Sequence, residues 1–232
     1  MTDLHTHILP GMDDGAEDVQ QSLAMLKLEG EQGVKTVALT PHFYPGHESL
    51  DSFLKRREEA WQQLKAQIAD SPEADSLPQL RLGAEVAYIP GMCEWQELPQ
   101  LCYDGTKLLL IELPFAPWNE ELFRELYRIS TTRGITPIIA HLDRYLHCQK
   151  AKTINRLLDL AFPYQVSAAA VMQLFSHRAR ELFLCGGAPI SDCHDVRHRP
   201  PNLGKLRSFV LRKYGREEAD ALSSRTEVWN EI

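Results

Sequence analysis

The chain has 232 residues, room for one large domain or two small ones, and its 44% apolar content is enough for a substantial core. A formal charge of −7 at pH 7 argues against a protein that grips nucleic acid through its overall field, although a local basic pocket for an anionic substrate stays open. The five cysteines are odd in number and include no C-x2-C pair, so a reducing cytoplasm fits better than a disulfide framework or a zinc knuckle. The opening MTDLHTHILPG carries no basic stretch followed by an apolar one. The most apolar window, KLLLIELPF, falls far short of the ~20 residues that cross a bilayer. A cytoplasmic protein without a membrane span is expected.

In chain order, short β-rich runs alternate with longer amphipathic ones. Strands are expected at Met1–His5, Val34–Thr40, Leu80–Val86, Leu108–Leu113, Ile135–Ala140, Tyr164–Ala168 and Pro189–Ser191. Most are nearly continuous apolar runs, as strands covered on both faces require. Helices are expected at Gln20–Gln32, Leu50–Ala69, Glu120–Arg133, Thr153–Ala161 and Met172–Leu184, and a tail, Leu203–Glu231, as two helices broken near Gly215. Leu23, Leu26 and Leu28 supply the apolar face of the first helix, and Gly33 its stop. The β-then-α rhythm implies parallel strands with helical crossovers, hence a closed barrel near the (β/α)8 type or one unit short of it, with a doubly wound open sheet as the alternative. The only linker-like stretch, DSPEADSLPQ at 70–79, reads as a surface loop, so residues 1–232 are expected to form one domain.

On this rhythm the metal-ligating residue types fall in one kind of place. His5 and His7 follow the first strand, with Asp13 and Asp14 just beyond. His42 follows the second strand and Glu85 lies near the end of the third. Glu112, His141, and Asp192 with His194 end later ones. In a parallel barrel these ends share one rim, where catalytic groups gather. Residues i and i+2 of an extended segment point the same way, so His5 with His7, and Asp192 with His194, would each offer two groups to one site. Imidazole and carboxylate together suit zinc, manganese or iron. Two metals ~3.5–4 Å apart activate a water and stabilise both oxygens of an in-line displacement at phosphorus. Singly, an H-x-H is weak, Asp13-Asp14-Gly15 is a turn, and Glu85, Glu112 or His141 is an ordinary polar residue. Their coincidence at successive strand ends is what points to a metal site.

The segments D-L-H-T-H-I-L-P-G-M-D-D-G, T-P-H, G-A-E, I-E-L, A-H-L-D-R-Y and S-D-C-H, in this order and spacing, resemble the polymerase and histidinol phosphatase (PHP) family. The first segment, the A-H-L-D-R-Y block and the R-P-P after S-D-C-H are more narrowly similar to the bacterial tyrosine phosphatases of capsule and exopolysaccharide loci, the CpsB/CapC group. The resemblance implies a distorted (β/α)7 barrel, of the TIM-like PHP fold, with three divalent or mixed-valence metal ions: manganese, iron or zinc. By resemblance, His5, His7, Glu85 and Asp192 hold one metal, while Glu85, Glu112 and His141 hold a second. Asp14, His42 and His194 hold the third, and Asp13 orients a ligand. Arg144 and Arg199 match basic positions of the family, and a planar guanidinium binds two phosphate oxygens at once. The alternative for each is a surface salt bridge. His42 is a further candidate, as an acid to the leaving group, and Tyr88 and Tyr145 either line the pocket or pack.

The activity so implied is hydrolysis of phosphotyrosine in a protein by attack of a metal-activated hydroxide. The partner is expected to be the tail of a bacterial tyrosine kinase that controls polysaccharide export. A small-molecule phosphatase, such as one acting on histidinol phosphate, is the alternative within enzymes. An inactive or nucleic-acid accessory module is the alternative outside them, disfavoured by the complete ligand set and the acidic composition. One decoy remains. Cys193 and Arg199 have the C-x5-R spacing of cysteine-dependent tyrosine phosphatases, but the intervening HDVRH has no glycine to let a loop wrap phosphate. Flanked by Asp192 and His194, Cys193 is expected to point away from their shared face.

Overall fold

The computed structural model of the chain describes residues 1–227, so the last part of the expected tail helix, 228–231, lies outside the described residues. In order, the elements are β1 (Thr2–Thr6), α1 (Val19–Glu31), β2 (Thr36–Leu39), β3 (His42–Phe43), α2 (Leu50–Ala69), β4 (Gln79–Leu82), β5 (Glu85–Ala87), β6 (Leu108–Glu112), α3 (Glu120–Arg133) and β7 (Thr136–Ile139). They continue with α4 (Ala151–Leu158), β8 (Gln165–Ser167), α5 (Ala168–Met172), α6 (His177–Leu184), β9 (Ala188–Ile190), α7 (Leu203–Tyr214) and α8 (Arg216–Glu227).

Every ladder is parallel: β1 pairs with β2 and β2 with β4, β3 with β5, β5 with β6, β6 with β7, and β8 with β9. β2 and β3 are one strand kinked at Thr40-Pro41, and β4 and β5 one strand kinked at Gly83-Ala84. Leu39 pairs with Leu82 and His42 with Glu85, so the register survives the kink. Pro41 has no N–H to give the ladder, but its carbonyl still accepts from the Glu85 N–H at 3.0 Å. Two seams then close the ring. The Ile139 N–H donates to the Pro163 carbonyl (3.0 Å) beside β8. Beyond β9, the Asp192 N–H donates to His5 O (3.0 Å) and the His7 N–H to Cys193 O (2.9 Å). Counting each kinked strand once leaves the seven positions of a distorted (β/α)7 barrel.

Alternation along the strands explains the continuous apolar runs. Leu108 and Leu110 of β6 join Leu4, Ala38, Ile138, Ala140, Ala188 and Ile190 in a cluster inside the barrel. Leu109 and Ile111 face outward into the larger core beneath the helices. The helices start on side-chain caps: Asp18, Ser49 and Asn119 accept from the N–H groups of Gln21, Ser52 and Leu122 at the heads of α1, α2 and α3. Gly134, at φ 62°, ends α3 in the left-handed conformation that glycine adopts without strain.

Three expectations need correction. The helix expected over Met172–Leu184 forms only over His177–Leu184: Met172 instead ends the separate short helix Ala168–Met172, and Phe175 at φ 65° cannot continue a right-handed helix across 173–176. The strand expected over Leu80–Val86 breaks at Gly83, where an added Cβ would stand 3.0 Å from the Tyr103 ring. The buried face of α1 is Ser22, Met25, Leu26 and Glu29, with Leu23 and Leu28 only half-buried. A buried glutamate was not part of the expected apolar stripe.

Candidate metal centre

Glu85, the first residue of β5 and 1% exposed, is the hub. Its Oε2 lies 3.0 Å from His5 Nε2, 3.4 Å from His7 Nε2 and 3.0 Å from His42 Nδ1, and its Oε1 lies 2.8 Å from His141 Nε2. Glu112, at the end of β6, stands 3.5 Å from His141 Nε2. Asp192 Oδ1 lies 3.4 Å from His7 Nε2, 3.8 Å from His5 Nε2 and 3.7 Å from His194 Nδ1. Asp14, on the loop after β1, places Oδ1 at 3.3 Å from His194 Nε2 and 3.8 Å from His42 Nε2. All nine candidate ligands therefore meet at the C-terminal rim of the barrel.

Their donor atoms gather in three groups, each within 4.8 Å: His5, His7 and Asp192; His7, Asp14, His42 and His194; and His42, Glu85 and Glu112. The groups overlap: His7 and His42 each stand in two of them, and His141, 2.8 Å from Glu85 and 3.5 Å from Glu112, lies beside the last as expected. Four buried atoms, His42 Nδ1, Glu85 Oε2, His141 Nδ1 and His194 Nε2, have no hydrogen-bond partner, and three of them face this centre at the distances above. Buried imidazole and carboxylate atoms left unpaired in one place are the donor set that a borderline divalent cation satisfies.

The electrostatics agree. Burial opposes ionisation of Glu85, but the charge of His5, with the hydrogen bond from His141, outweighs it and holds the carboxyl well below its usual range. Burial also opposes charging of His5 and His7. The carboxylates of Glu85 and Asp192 for the first, and of Asp13 for the second, overcome it and raise both. At His194 burial and the neighbouring His7 prevail and push the group down to about 4.

Two of the ligands sit on strained backbone. His141 has φ 28° and Asp192 φ 52°, the left-handed region that non-glycine residues rarely enter. Asp192 is thus not extended as expected, yet it and His194 still face the same centre. The other oxygen of Asp192, Oδ2, takes both candidate phosphate-binding arginines: Arg144 Nη2 in close contact and Arg199 Nη2 at 2.8 Å. About a third of each arginine side chain stays exposed, so each can reach an incoming anion. Tyr145 packs instead of lining the pocket: fully buried, its OH accepts from the Leu113 N–H at 2.8 Å. Tyr88 is half-buried, and Arg197 and His198 are exposed.

Two residues fix the imidazoles. Asp13 Oδ2 takes His7 Nδ1 at 2.7 Å and also accepts from the His42 N–H at 2.8 Å. Gln165, on β8 and 0% exposed, places Oε1 at 2.8 Å from His5 Nδ1, so that nitrogen donates to Gln165 and Nε2 is the atom turned toward Glu85. Asp13 was legible beside Asp14, but no signal in the sequence marks Gln165.

Cys193 points the other way, as expected. It is 0% exposed, and its Sγ lies 3.8 Å from Glu29 Oε1. Burial first, then the Glu29 and Asp3 carboxyls, push its thiol well above the usual range. Such a sulfur is no nucleophile.

A closed parallel barrel that gathers histidines, aspartates and glutamates at the C-terminal ends of its strands fits the PHP-type α/β barrel of a metal-dependent hydrolase. Residues 1–227 match the family model described as capsular polysaccharide synthesis, CpsB/CapC, and the chain belongs to that family. It is 28% identical to the tyrosine-protein phosphatase YwqE of Bacillus subtilis over 241 residues, covering 98% of this chain and 91% of that one. It is 28% identical to the tyrosine-protein phosphatase CpsB of Streptococcus pneumoniae over 243 residues, covering 96% and 94%. A solved structure from work on these two proteins, described as unique metal-dependent tyrosine phosphatases, superimposes with a TM-score of 0.81 at 25% identity, covering 99% of this chain and 94% of that one.

Two outcomes are expected. Gln165→Leu, which removes the acceptor for His5 Nδ1, should weaken metal binding by roughly ten- to a hundredfold, measured by titrating manganese into demetallated protein; unchanged affinity would show that His5 needs no such support. Cys193→Ser should keep most of its activity on a phosphotyrosine peptide, and thiol alkylation of folded wild type should leave turnover intact. A fully metallated Cys193→Ser with no turnover would reinstate the thiolate.

Proposed function

We propose that this chain is a metal-dependent protein-tyrosine phosphatase of one PHP-type domain. It would hold three divalent ions (manganese, iron or zinc) and act in the cytoplasm on a phosphotyrosine protein, the tail of a tyrosine kinase that governs capsule or exopolysaccharide assembly. The observation that carries the reading is the convergence of nine imidazole and carboxylate ligands on a rim where two arginines stand ready for phosphate. Its support from relatives is the tyrosine-phosphatase activity of YwqE and CpsB. The cytoplasmic assignment rests on cysteines that are all free; among the described residues no helix is long and apolar enough to cross a membrane.

The ligand set is allotted by proximity: His5, His7 and Asp192 to one ion, Glu85, Glu112 and His141 or His42 to a second, and Asp14, His42 and His194 with His7 to the third. When bound, such ions supply Lewis acidity and a water activated at neutral pH. The protein's own groups do the rest. Arg144 and Arg199 bind the phosphoryl oxygens, and their forks stabilise charge on the equatorial positions as the ester bond breaks. The leaving phenolate has a pKa of about 10 and needs less protonation than an alkoxide would. We assign His42 as a ligand in preference to the acid, because its Nδ1 faces Glu85 at 3.0 Å, its Nε2 faces Asp14 at 3.8 Å, and burial lowers its proton affinity.

Hydrolysis of a phosphotyrosine peptide should vanish with a strong chelator and return with manganese, while the helical circular-dichroism signal stays. Full rates in exhaustively demetallated protein would sink the proposal. Arg199→Lys keeps the charge and loses the fork, so kcat/KM should fall roughly ten- to a hundredfold, ~1.4–2.7 kcal/mol. An unchanged value would mean that Arg199 serves Asp192 alone.

A further inference from the structure

We propose that Tyr44 and Phe115 form an aromatic cleft over the metal centre that holds the phenyl ring of the substrate, so that the site selects aryl over alkyl phosphate esters. The inference rests on the phosphatase reading above and names what gives it its substrate class.

Several large apolar side chains of the described residues are exposed, among them Tyr44 at 39% and Phe115 at 54%. These two lie against candidate ligands. Tyr44 stacks on His42, with centroids 4.9 Å apart and planes at 26°. Phe115 lies nearly parallel to His141, at 6.4 Å and 19°, and 5.1 Å from the ring of Tyr145. His42 and His141 take opposite oxygens of Glu85, Oε2 and Oε1, so the two rings flank the hub on separate sides.

An exposed phenylalanine normally folds down onto its neighbours, and the loop after β6 prevents that. Trp118 Nε1 donates to the Pro114 carbonyl at 2.9 Å, and Gln149 Nε2 donates to the Ala116 carbonyl at 2.7 Å. The Trp118 N–H donates in turn to Gln149 Oε1 at 3.3 Å. Prolines at 114 and 117 stiffen the same turn. Phe115 is therefore held out at the rim by bonds on both sides of it. The Tyr44 turn is likewise closed, by the His47 N–H on the Tyr44 carbonyl at 3.1 Å. Side walls fixed before binding lose little freedom when a ring enters, which is how rigid aromatic surfaces gain affinity.

Chemistry selects the occupant. With phosphate at Arg144 and Arg199, the group next to the ester oxygen lies at the rim. In phosphotyrosine that group is a flat apolar ring, and offset or edge contacts with Phe115 and Tyr44 favour it. In phosphoserine it is one methylene followed by polar backbone, which gains nothing from these walls and leaves them wet.

The test uses metal-loaded wild type, Phe115→Ala, Phe115→Leu and Tyr44→Ala, with metal content measured for each. Substrates are a phosphotyrosine peptide and its phosphoserine counterpart, and inorganic phosphate is the ring-free inhibitor. Phe115→Ala should raise KM for the phosphotyrosine peptide by about five- to tenfold, with kcat nearly unchanged and both the phosphate Ki and the metal content as in wild type. Phe115→Leu, which keeps apolar bulk without a ring, should fall between, and Tyr44→Ala should also raise KM. Unchanged KM in both alanine variants overturns the cleft, as does a phosphate Ki that worsens in parallel with KM. Equal kcat/KM of wild type on the two peptides overturns it too. Wild type that is inert on both peptides would instead defeat the phosphatase reading itself.

Discussion

The buried carboxylate of Glu85 is the constraint around which the rest of this molecule is arranged. An ionised carboxylate without solvent is tolerated only when it is paired and hydrogen-bonded. Glu85 is hydrogen-bonded to His141 through Oε1 and gathers His5, His7 and His42 around Oε2, each within 3.4 Å, an arrangement that a cation among them would complete. These four imidazoles come from three other strands or their ends, so no local stretch of chain can assemble them. Ring closure does it, because the parallel order brings the ends of β1, β3, β5 and β7 to one rim. The kinks at Thr40-Pro41 and Gly83-Ala84 belong to the same arrangement: they re-aim His42 and Glu85 while the register on either side is kept. Asp13, Asp14, Glu112 and Asp192 add further carboxylates around the same point, an excess of negative charge that a cation relieves.

A second polar layer lies beneath the first and explains how the strained ligand segment is held. Asp3 faces away from the centre toward α1, where it meets Glu29. The Asp3 Oδ1 accepts from the N–H groups of His5 (3.3 Å) and Ser191 (3.2 Å), which straps β1 to the start of the segment carrying Asp192. Burial, then the neighbouring Asp3, raises the proton affinity of Glu29 well above its usual value, so Glu29 carries the proton of this pair. The Cys193 thiol and the Ser191 hydroxyl complete the cluster. The left-handed φ of Asp192 is thus maintained by contacts on the far side of the strand from the chemistry.

What was legible in the sequence follows from which interactions are local. Strand-end placement is periodic and local, so each of His5, His7, Asp14, His42, Glu85, Glu112, His141, Asp192 and His194 could be marked from its own strand, and the structure brings them together. Helices α2 and α3, whose caps and apolar spacing are also local, have the expected bounds. Gln165, Asp3 and Glu29 were not legible, because each acts through a partner far along the chain. A glutamate in an otherwise apolar helical stripe reads as a solvated edge, and only the approach of β1 shows it to be buried. The short helix Ala168–Met172 and the break at 173–176 were missed for a similar reason: the helix follows β8 directly with no side-chain cap of its own, and nothing in the composition around Met172 marks an end before α6.

The placement of Arg144 shows how the barrel passes its rigidity to a group outside the strands. Arg144 lies in the short helical turn Leu142–His147, between two buried neighbours anchored to different strands. On one side, Asp143 Oδ1 accepts from the Ser167 N–H at 2.7 Å at the end of β8. On the other, the Tyr145 OH accepts from the Leu113 N–H at 2.8 Å just past β6. The guanidinium therefore emerges from a turn pinned on both flanks, and its contact with Asp192 fixes the direction in which it extends. Arg199 reaches the same oxygen from a turn closed by Asp195, whose carboxylate accepts from the N–H groups of Arg197 and His198 at 2.5 Å each. Two cations from separate elements thus converge on one oxygen of the buried Asp192 carboxylate, with about a third of each arginine side chain exposed. On the function proposed above, an entering phosphate would meet guanidinium forks already oriented by these contacts, so that the entropy of aligning them is met in folding and more of their electrostatic interaction is left for the transition state.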